Sequence, residues 1–130
     1  MLRSFSEPQL SQSFELIRSL PDGLSGAEVR ERGREYARAA IMIASTFETM
    51  GYPVYCDMVS YAMVREVSGG LALVLWRKLS GWMNMIRKEQ QQPSFAEWFQ
   101  WLADQLARES AAKEASPAYE KFADWKPRRT

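Results

Sequence analysis

The chain is predicted to fold as an all-α protein, a compact bundle of four or five helices. Apolar residues recur at helical spacing over most of the sequence, which is the pattern of amphipathic helices. Sustained alternation of apolar and polar residues bounded by turn residues, the signal of a strand, is absent. Ser25 with Glu28 and Ser94 with Glu97 form capping boxes, in which each side chain satisfies a backbone N–H group at a helix start.

Length and composition favour one domain that buries a core. The 130 residues fit a single unit, and 46% of them are hydrophobic against 25% charged, which is typical of a globular protein. There is no internal repeat, low-complexity tract or linker that would support a second domain. We therefore predict one helical domain over residues 1–130, with its core in 25–106 and with peripheral segments at 1–24 and 107–130.

Proline, glycine and the first capping box place the first two helices. A helix from about Pro8 to Leu20 is expected, because proline suits the first turn of a helix. The stretch "LPDGLSG" then interrupts the periodic pattern, and Ser25 caps the second helix. This second helix, the longest one predicted, runs to about Met50, where Gly51 is positioned to end it.

A third helix is expected to begin near Tyr55 to Asp57 and to reach about Val67. Its side chains available for packing are Met58, Val59, Ala62 and Val67. The "SGG" stretch at residues 68–70 either separates two helices or allows a kinked, close approach to a neighbour, and we favour a sharp break. A fourth, amphipathic helix then runs from Leu71 through Ile86.

The polar loop "KEQQQP" separates the fourth helix from a fifth. The fifth helix starts at the Ser94–Glu97 capping box and continues through Leu106 with an aromatic apolar face. The tail beyond Ser110 is rich in alanine and charge, and its last fifteen residues allow one short helical turn. That turn would dock three aromatic side chains on the bundle: Tyr119, Phe122 and Trp125.

The balance of charge and the absence of histidine exclude several classes of function. The formal net charge is +1, so no overall field attracts the chain to nucleic acid or anionic lipid. The count of His is 0, which removes the commonest general base and the commonest transition-metal ligand. We therefore expect no metal site and no cofactor.

The sequence also indicates a cytoplasmic location. The apolar run Leu71–Trp76 ends at Arg77 and Lys78, so it is too short to span a membrane. The first fifteen residues lack the apolar run of a signal peptide. The single cysteine, Cys56, cannot form an internal disulfide, which fits a reducing compartment.

Trp101 is the first candidate for a binding surface. It lies about 120° from the centre of the apolar stripe of the fifth helix, so it needs another partner, which the tail or a second protein chain would supply. Three apolar residues of the fourth helix are similarly left over: Leu73, Val74 and Met85. We predict a non-enzymatic protein-interaction module that self-associates, as a homodimer, through the fourth and fifth helices.

Two alternatives come from other classes of function. Arg30, Arg34 and Arg38 recur every fourth residue on the predicted second helix and so form a basic stripe. With Arg77 they are candidates for binding a small anion or a nucleotide phosphate. Interleaved glutamates favour an ion-paired, solvated surface instead. Cys56 lies near a predicted helix start, where a thiol can become reactive, and this suggests a thiol-dependent enzyme or redox sensor. A structural thiol is the favoured interpretation, because the chain has no resolving cysteine.

Residues 47–106 carry a distinctive series of packing residues. The series contains Phe47, Glu48, Gly51, a Gly-Gly helix start, Trp76, Arg77, Lys78, Trp82, Arg87 and an aromatic "FAEWFQWLA" helix. In this series the chain resembles a family of small bacterial helical proteins catalogued only as a domain of unknown function. The resemblance implies a helical fold and no known activity. Some members look membrane-anchored through an N-terminal apolar segment, but residues 1–24 of this chain are too polar for such an anchor.

Overall fold

A computed structural model describes residues 7–112 and 117–127 of the chain, and predictions that concern the remaining residues lie outside it. The described residues form six helices and no strand, which confirms the all-α class. The helices are α1 (Glu7–Arg18), α2 (Gly26–Glu31), α3 (Arg34–Tyr55), α4 (Tyr61–Glu89), α5 (Glu97–Ala112) and α6 (Ala118–Lys121). The first helix agrees with the prediction to within two residues at its end.

The core lies between α1, α3, α4 and α5. α3 packs against both α1 and α5, while α4 packs against α5 and the short α2. Phe47 and Phe99 are among the largest fully buried side chains, and their rings stack with centroids 5.0 Å apart. Ile17 and Leu20 are buried in the same cluster, so the core extends beyond the predicted range 25–106.

The prediction of one long helix from Ser25 to Met50 is wrong. The first capping box does form, since the Glu28 N–H group donates to the Ser25 hydroxyl at 3.1 Å and the Ser25 N–H group to the Glu28 carboxylate at 2.8 Å. The helix it starts, α2, ends after 6 residues. Gly33 then adopts a φ of 123°, which side chains rarely permit, and the chain turns before α3.

The expected helix end at Gly51 is also wrong, because α3 continues to Tyr55. A Cβ atom at Gly51 would lie 2.6 Å from the carbonyl oxygen of Trp98, so this glycine allows the close approach of α3 and α5. Pro53 lies in the last turn of α3 and cannot donate the backbone hydrogen bond that other helical residues make.

α4 is one continuous helix, so the separate third helix and the sharp break at residues 68–70 are wrong. Residues 56–60 form the turn before it, and the Ser60 hydroxyl caps it by accepting a hydrogen bond from the Met63 N–H group at 3.2 Å. Gly69 faces α5, where an added Cβ atom would lie 3.1 Å from Leu106. Of the two alternatives for this glycine pair, Gly69 therefore fits a close approach to a neighbouring helix. No helix in the described parts of the chain is long and apolar enough to cross a membrane.

α5 begins at Glu97 rather than at Ser94, and it extends beyond the predicted end at Leu106 to Ala112. Residues 94–96 form a turn, in which Ala96 has a φ of 60°, so Ser94 is not the residue that precedes the helix. The short helix of the tail is present as α6. Its aromatic side chains are exposed and not docked, contrary to the prediction: Tyr119, Phe122 and Trp125.

Candidate interaction surface

Six large apolar side chains are exposed around the turn between α3 and α4. They are Tyr52, Tyr55, Met58, Val59, Met63 and Val67, and we call them the turn surface. Met58 and Val67 are the most exposed of the six, at 76% and 78%.

The prediction that Met58, Val59, Ala62 and Val67 pack inside the bundle is therefore wrong. Met58 and Val59 lie outside any helix. Val67 lies two residues before Gly69, which is about 160° around the helix from the side that faces α5. The apolar residues of this segment thus point toward solvent.

Two residues of the turn surface, Tyr52 and Tyr55, pack against aromatic rings of α5. The ring centroid of Tyr55 lies 4.9 Å from that of Trp98 and 5.8 Å from that of Trp101, and Tyr52 lies 5.2 Å from Trp98. Such pairs are favourable and hold their rings in defined orientations. Trp101 thus obtains partners within the chain, from Tyr55 and from Trp98 at 5.9 Å, and it remains half-buried.

An open cleft of about 480 Å³ lies beside these rings, and we call it the aromatic cleft. It is lined by Val54, Tyr55, Tyr61, Trp101, Gln105, Arg108 and Glu109. The cleft shares Tyr55 with the turn surface, so the two features are continuous. Its volume falls within the range of about 300–1,000 Å³ that is typical of ligand pockets.

A polar cluster closes one side of the aromatic cleft. The Tyr61 hydroxyl donates to one oxygen of Glu109 at 2.9 Å, and Arg65 donates to the other oxygen at 2.8 Å. Burial, together with the hydrogen bond to Glu109, raises the pKa of Tyr61 to about 12. The hydrogen bond to Glu109 also raises the pKa of Arg65. Both groups therefore keep their protons at neutral pH, which makes this cluster a set of structural hydrogen bonds and not an acid–base pair.

At the other end of α4, two charged side chains hold the connection to α5. A carboxylate oxygen of Glu48 accepts a hydrogen bond from the Phe99 N–H group, in the first turn of α5, at 2.6 Å. Arg87 donates to the Phe95 carbonyl and to the Gln100 side chain, each at 2.7 Å. Burial raises the pKa of Glu48, although its backbone hydrogen bonds oppose the shift. Glu48 and Arg87 therefore have a structural role, which is to hold the start of α5 and the loop before it.

The four residues predicted for the interface do not form one patch. Trp101 borders the aromatic cleft, and Val74 is exposed on α4. Leu73 is half-buried against the core. Met85 packs against Gly26 of α2, near the opposite end of α4, since a Cβ atom on that glycine would lie 2.6 Å from the Met85 Cβ atom. Leu73 and Met85 thus have partners within the chain, and the assignment of the four residues to an interface stays a prediction.

The arginines predicted to bind an anion do not lie on one helix, so the premise of a continuous stripe is wrong. Arg30, on α2, forms an ion pair with Glu89 through two hydrogen bonds of 2.8 and 2.6 Å, which raise the pKa of Arg30 and lower that of Glu89. Arg34 and Arg77 are exposed on α3 and α4. Arg38 lines a shallow cleft of about 260 Å³. Anion binding by these residues stays a prediction.

Cys56 is half-buried at the C-terminal end of α3 and not at a helix start. The effect of a helix start, which can make a thiol reactive, therefore does not apply to this position. A hydrogen bond between the Tyr52 hydroxyl and this thiol raises the pKa of Tyr52. The reactivity of Cys56 stays a prediction. In residues 7–112 and 117–127, no group of three or more potential ligands could hold a metal ion.

Sequence reasoning missed the turn surface and the Tyr61–Glu109–Arg65 cluster. The apolar residues of the turn surface were visible in the sequence, but periodicity assigns such residues to packing by default. The polar cluster joins side chains that are 44 and 48 residues apart, so no local pattern indicates it.

The described residues thus define an all-helical protein distinguished by an exposed apolar and aromatic surface. The chain belongs to the family described as Domain of unknown function (DUF4760), whose profile matches residues 1–106. This match confirms the resemblance to a domain of unknown function and extends it beyond residues 47–106. No curated protein and no solved structure matches the chain.

Proposed function

We propose that this protein is a non-enzymatic interaction module that self-associates as a homodimer through the turn surface. The observation that carries the proposal is the exposure of two tyrosines, two methionines and two valines within residues 52–67, around a single turn. Aromatic residues and methionine are enriched in protein interfaces, and charged residues are depleted at their centres. The turn surface has this composition.

The size of the turn surface fits a contact between two copies of the chain. Its six side chains together expose on the order of 600 Å², the upper end of the largest apolar patch on a typical monomer. Two copies that bury this area each would cover about 1,200 Å², the lower end of the range for stable interfaces. A dimer of moderate affinity is therefore expected.

Charge also favours a second copy over a nucleic acid or a membrane. The side chains of the turn surface are uncharged and the net charge of the chain is +1, so neither phosphate nor anionic lipid is attracted. Asp57 and Arg108, both exposed, lie beside the surface and carry opposite charges. In a two-fold symmetric contact, a residue of one copy that meets a second residue of the other copy does so twice, once in each direction. Groups of opposite sign at the edge can therefore form two equivalent pairs. Trp101 and Val74, predicted for the interface, would lie at its margin.

Sedimentation equilibrium tests the proposal with one charge introduced at a time. Wild-type protein should dimerise at high micromolar concentration, and Val67→Glu should weaken the dimer about 10-fold or more, because it places a charge in the contact. Met63→Glu should act in the same direction. Far-UV circular dichroism should show unchanged helix content, since both side chains are exposed.

Ile41→Glu is the matched control. Ile41 is 51% exposed on α3 but lies eleven residues, about 16 Å, before Tyr52 along the helix. This variant should dimerise like wild type. A purely monomeric wild-type protein at high micromolar concentration, or equal weakening by Ile41→Glu and Val67→Glu, would contradict the proposal.

A further inference from the structure

The tail holds three exposed aromatic side chains that have no structural role in the described fold. Tyr119, Phe122 and Trp125 fall three residues apart, and Trp125 is 68% exposed. Single exposed apolar residues are common on protein surfaces, but three large aromatic rings within seven residues are not. We call residues 118–125 the aromatic segment.

The aromatic segment is tethered next to the aromatic cleft. Arg108 and Glu109, on the last turns of α5, line the cleft, and the helix ends at Ala112, about 6 Å beyond Arg108 along its axis. Five Cα-to-Cα steps lead from Ala112 to Pro117, so this connection spans at most about 17 Å. The segment therefore begins within reach of the cleft.

The chemistry of the segment matches that of the cleft. The cleft presents the rings of Tyr55, Tyr61 and Trp101, and the exposed guanidinium group of Arg108. In the segment, Asp124 immediately precedes Trp125, so one unit supplies a large ring and a carboxylate. A ring packs favourably among aromatic walls, and an arginine–carboxylate pair adds a charge-assisted hydrogen bond.

The aromatic segment is exposed in the described structure. We propose that it also adopts a second conformation in which it docks in cis into the aromatic cleft, with Trp125 against Tyr55 and Trp101 and with Asp124 facing Arg108. The tether makes a weak contact sufficient, because a short linker gives an effective concentration in the millimolar range. A contact with an intrinsic dissociation constant near 1 mM is then substantially populated. Tyr55 and Arg108 also belong to or border the turn surface, so docking in cis competes with self-association for these residues but does not require it.

The test uses ¹⁵N-labelled full-length chain and its backbone and indole N–H signals. Trp125→Ala should shift the signals of Tyr55, Trp101 and Arg108, which line the cleft. Lys126→Ala, a neighbouring change that removes no aromatic ring, should shift only its neighbours in the tail. Shifts confined to the tail in Trp125→Ala would overturn the proposal.

Two further measurements separate docking in cis from other causes. The charge reversal Arg108→Glu should release the segment, and Arg108→Glu with Asp124→Lys should restore the signals of Tyr55 and Trp101; failure of this rescue would count against the assigned pair. Spectra of Val67→Glu, which removes the proposed dimer contact, should not change between low and high micromolar concentration. A concentration dependence of the cleft signals in that variant would show docking between chains and overturn the cis proposal.

Discussion

The two ends of α4 differ in a way that their sequences do not suggest. The turn before α4, residues 56–60, contains Met58 and Val59, and both are exposed. The connection after α4, residues 90–96, is mostly polar, and yet its Phe95 and Ala96 are packed into or against the core. Local hydropathy therefore does not decide burial here. What decides it is whether a neighbouring helix provides contacts for the connection.

Hydrogen bonds explain why the two connections can differ in this way. After α4, Arg87 donates to the Phe95 carbonyl at 2.7 Å and to the Ala96 carbonyl at 3.3 Å, so a side chain satisfies the backbone of the loop. Before α4, the N–H groups of Met58 and Val59 both donate to the Pro53 carbonyl, at 2.9 and 3.2 Å. That turn satisfies its own backbone, and its apolar side chains stay available to a partner.

The largest contrast between the two ends is expected from removing one side chain at each. Phe99→Ala should lower the free energy of unfolding by about 3–5 kcal/mol, because the ring packs on Phe47 and on Trp76, each with centroids 5.0 Å apart. Met58→Ala should change it by less than about 0.5 kcal/mol, since the side chain is exposed. Urea unfolding of both variants measures the contrast. A loss of several kcal/mol in the unfolding free energy of Met58→Ala would contradict the claim that the side chains of the first turn do not stabilise the fold.

Arg87→Lys should have the next largest effect. Lysine keeps the charge but cannot donate in three directions, so it leaves carbonyl groups of Phe95 or Ala96 unpaired. We expect a loss of about 1–3 kcal/mol in urea unfolding, with faster amide hydrogen exchange in residues 94–100. Lys88→Ala, the exposed neighbour, is the control and should resemble wild type. Wild-type stability in Arg87→Lys would show that charge alone holds the connection.

A smaller, pH-dependent effect is expected at Glu48. Because burial raises its pKa, the folded protein holds the carboxyl proton more tightly than the unfolded chain does. The contribution of this group to stability is therefore present below the unfolded pKa and is lost as the pH rises through the folded pKa.

Glu48→Gln tests that sign, because glutamine does not ionise and still offers an acceptor to the Phe99 N–H group. Between acidic and neutral pH the variant should gain on wild type by less than about 1 kcal/mol, since solvent screens a partly buried carboxyl. The measurement is the difference in unfolding free energy between the two proteins against pH. The opposite trend, a wild type that gains as the pH rises, would mean that the backbone hydrogen bonds outweigh burial.

The smallest effect is expected at the surface ion pair near the second end of α4. Arg30 and Glu89 are both exposed, and exposed pairs contribute little because water screens their charges. Arg30→Ala should leave the urea midpoint of unfolding unchanged within error at physiological ionic strength. A clear shift of the urea midpoint would mean that this ion pair between α2 and α4 helps to stabilise that end of α4.

Part of the fold was predictable from local patterns. The first helix and the Ser25–Glu28 capping box were predicted correctly, because both depend on residues within one or two turns of each other. The break at Gly33 was not predicted, and the helix ends that were predicted at Gly51 and at residues 68–70 are absent from α3 and α4. A glycine permits a break, a close approach or neither, and only the neighbouring helix distinguishes these outcomes.

The candidate site was less predictable than the fold. Trp101 was predicted to lie off the core face of its helix and to need a partner, and its partner Tyr55 belongs to a segment that was predicted to start a new helix. Three residues of the turn surface, Met58, Val59 and Val67, were assigned to packing because they are apolar. Each of these errors concerns a contact between elements far apart in the chain, which periodicity does not report.

The sequence by itself determined that this chain is helical, which residue types its helices bury, and that it has no histidine for acid–base or metal chemistry. These properties depend on composition and on spacing within a single helix. Only the tertiary structure decided that Gly51 and Gly69 bring helices together, that Arg87 anchors a polar loop, and that Met58 and Val67 face solvent. Burial is a relation between two surfaces, and the second surface is in each case supplied by a distant part of the chain.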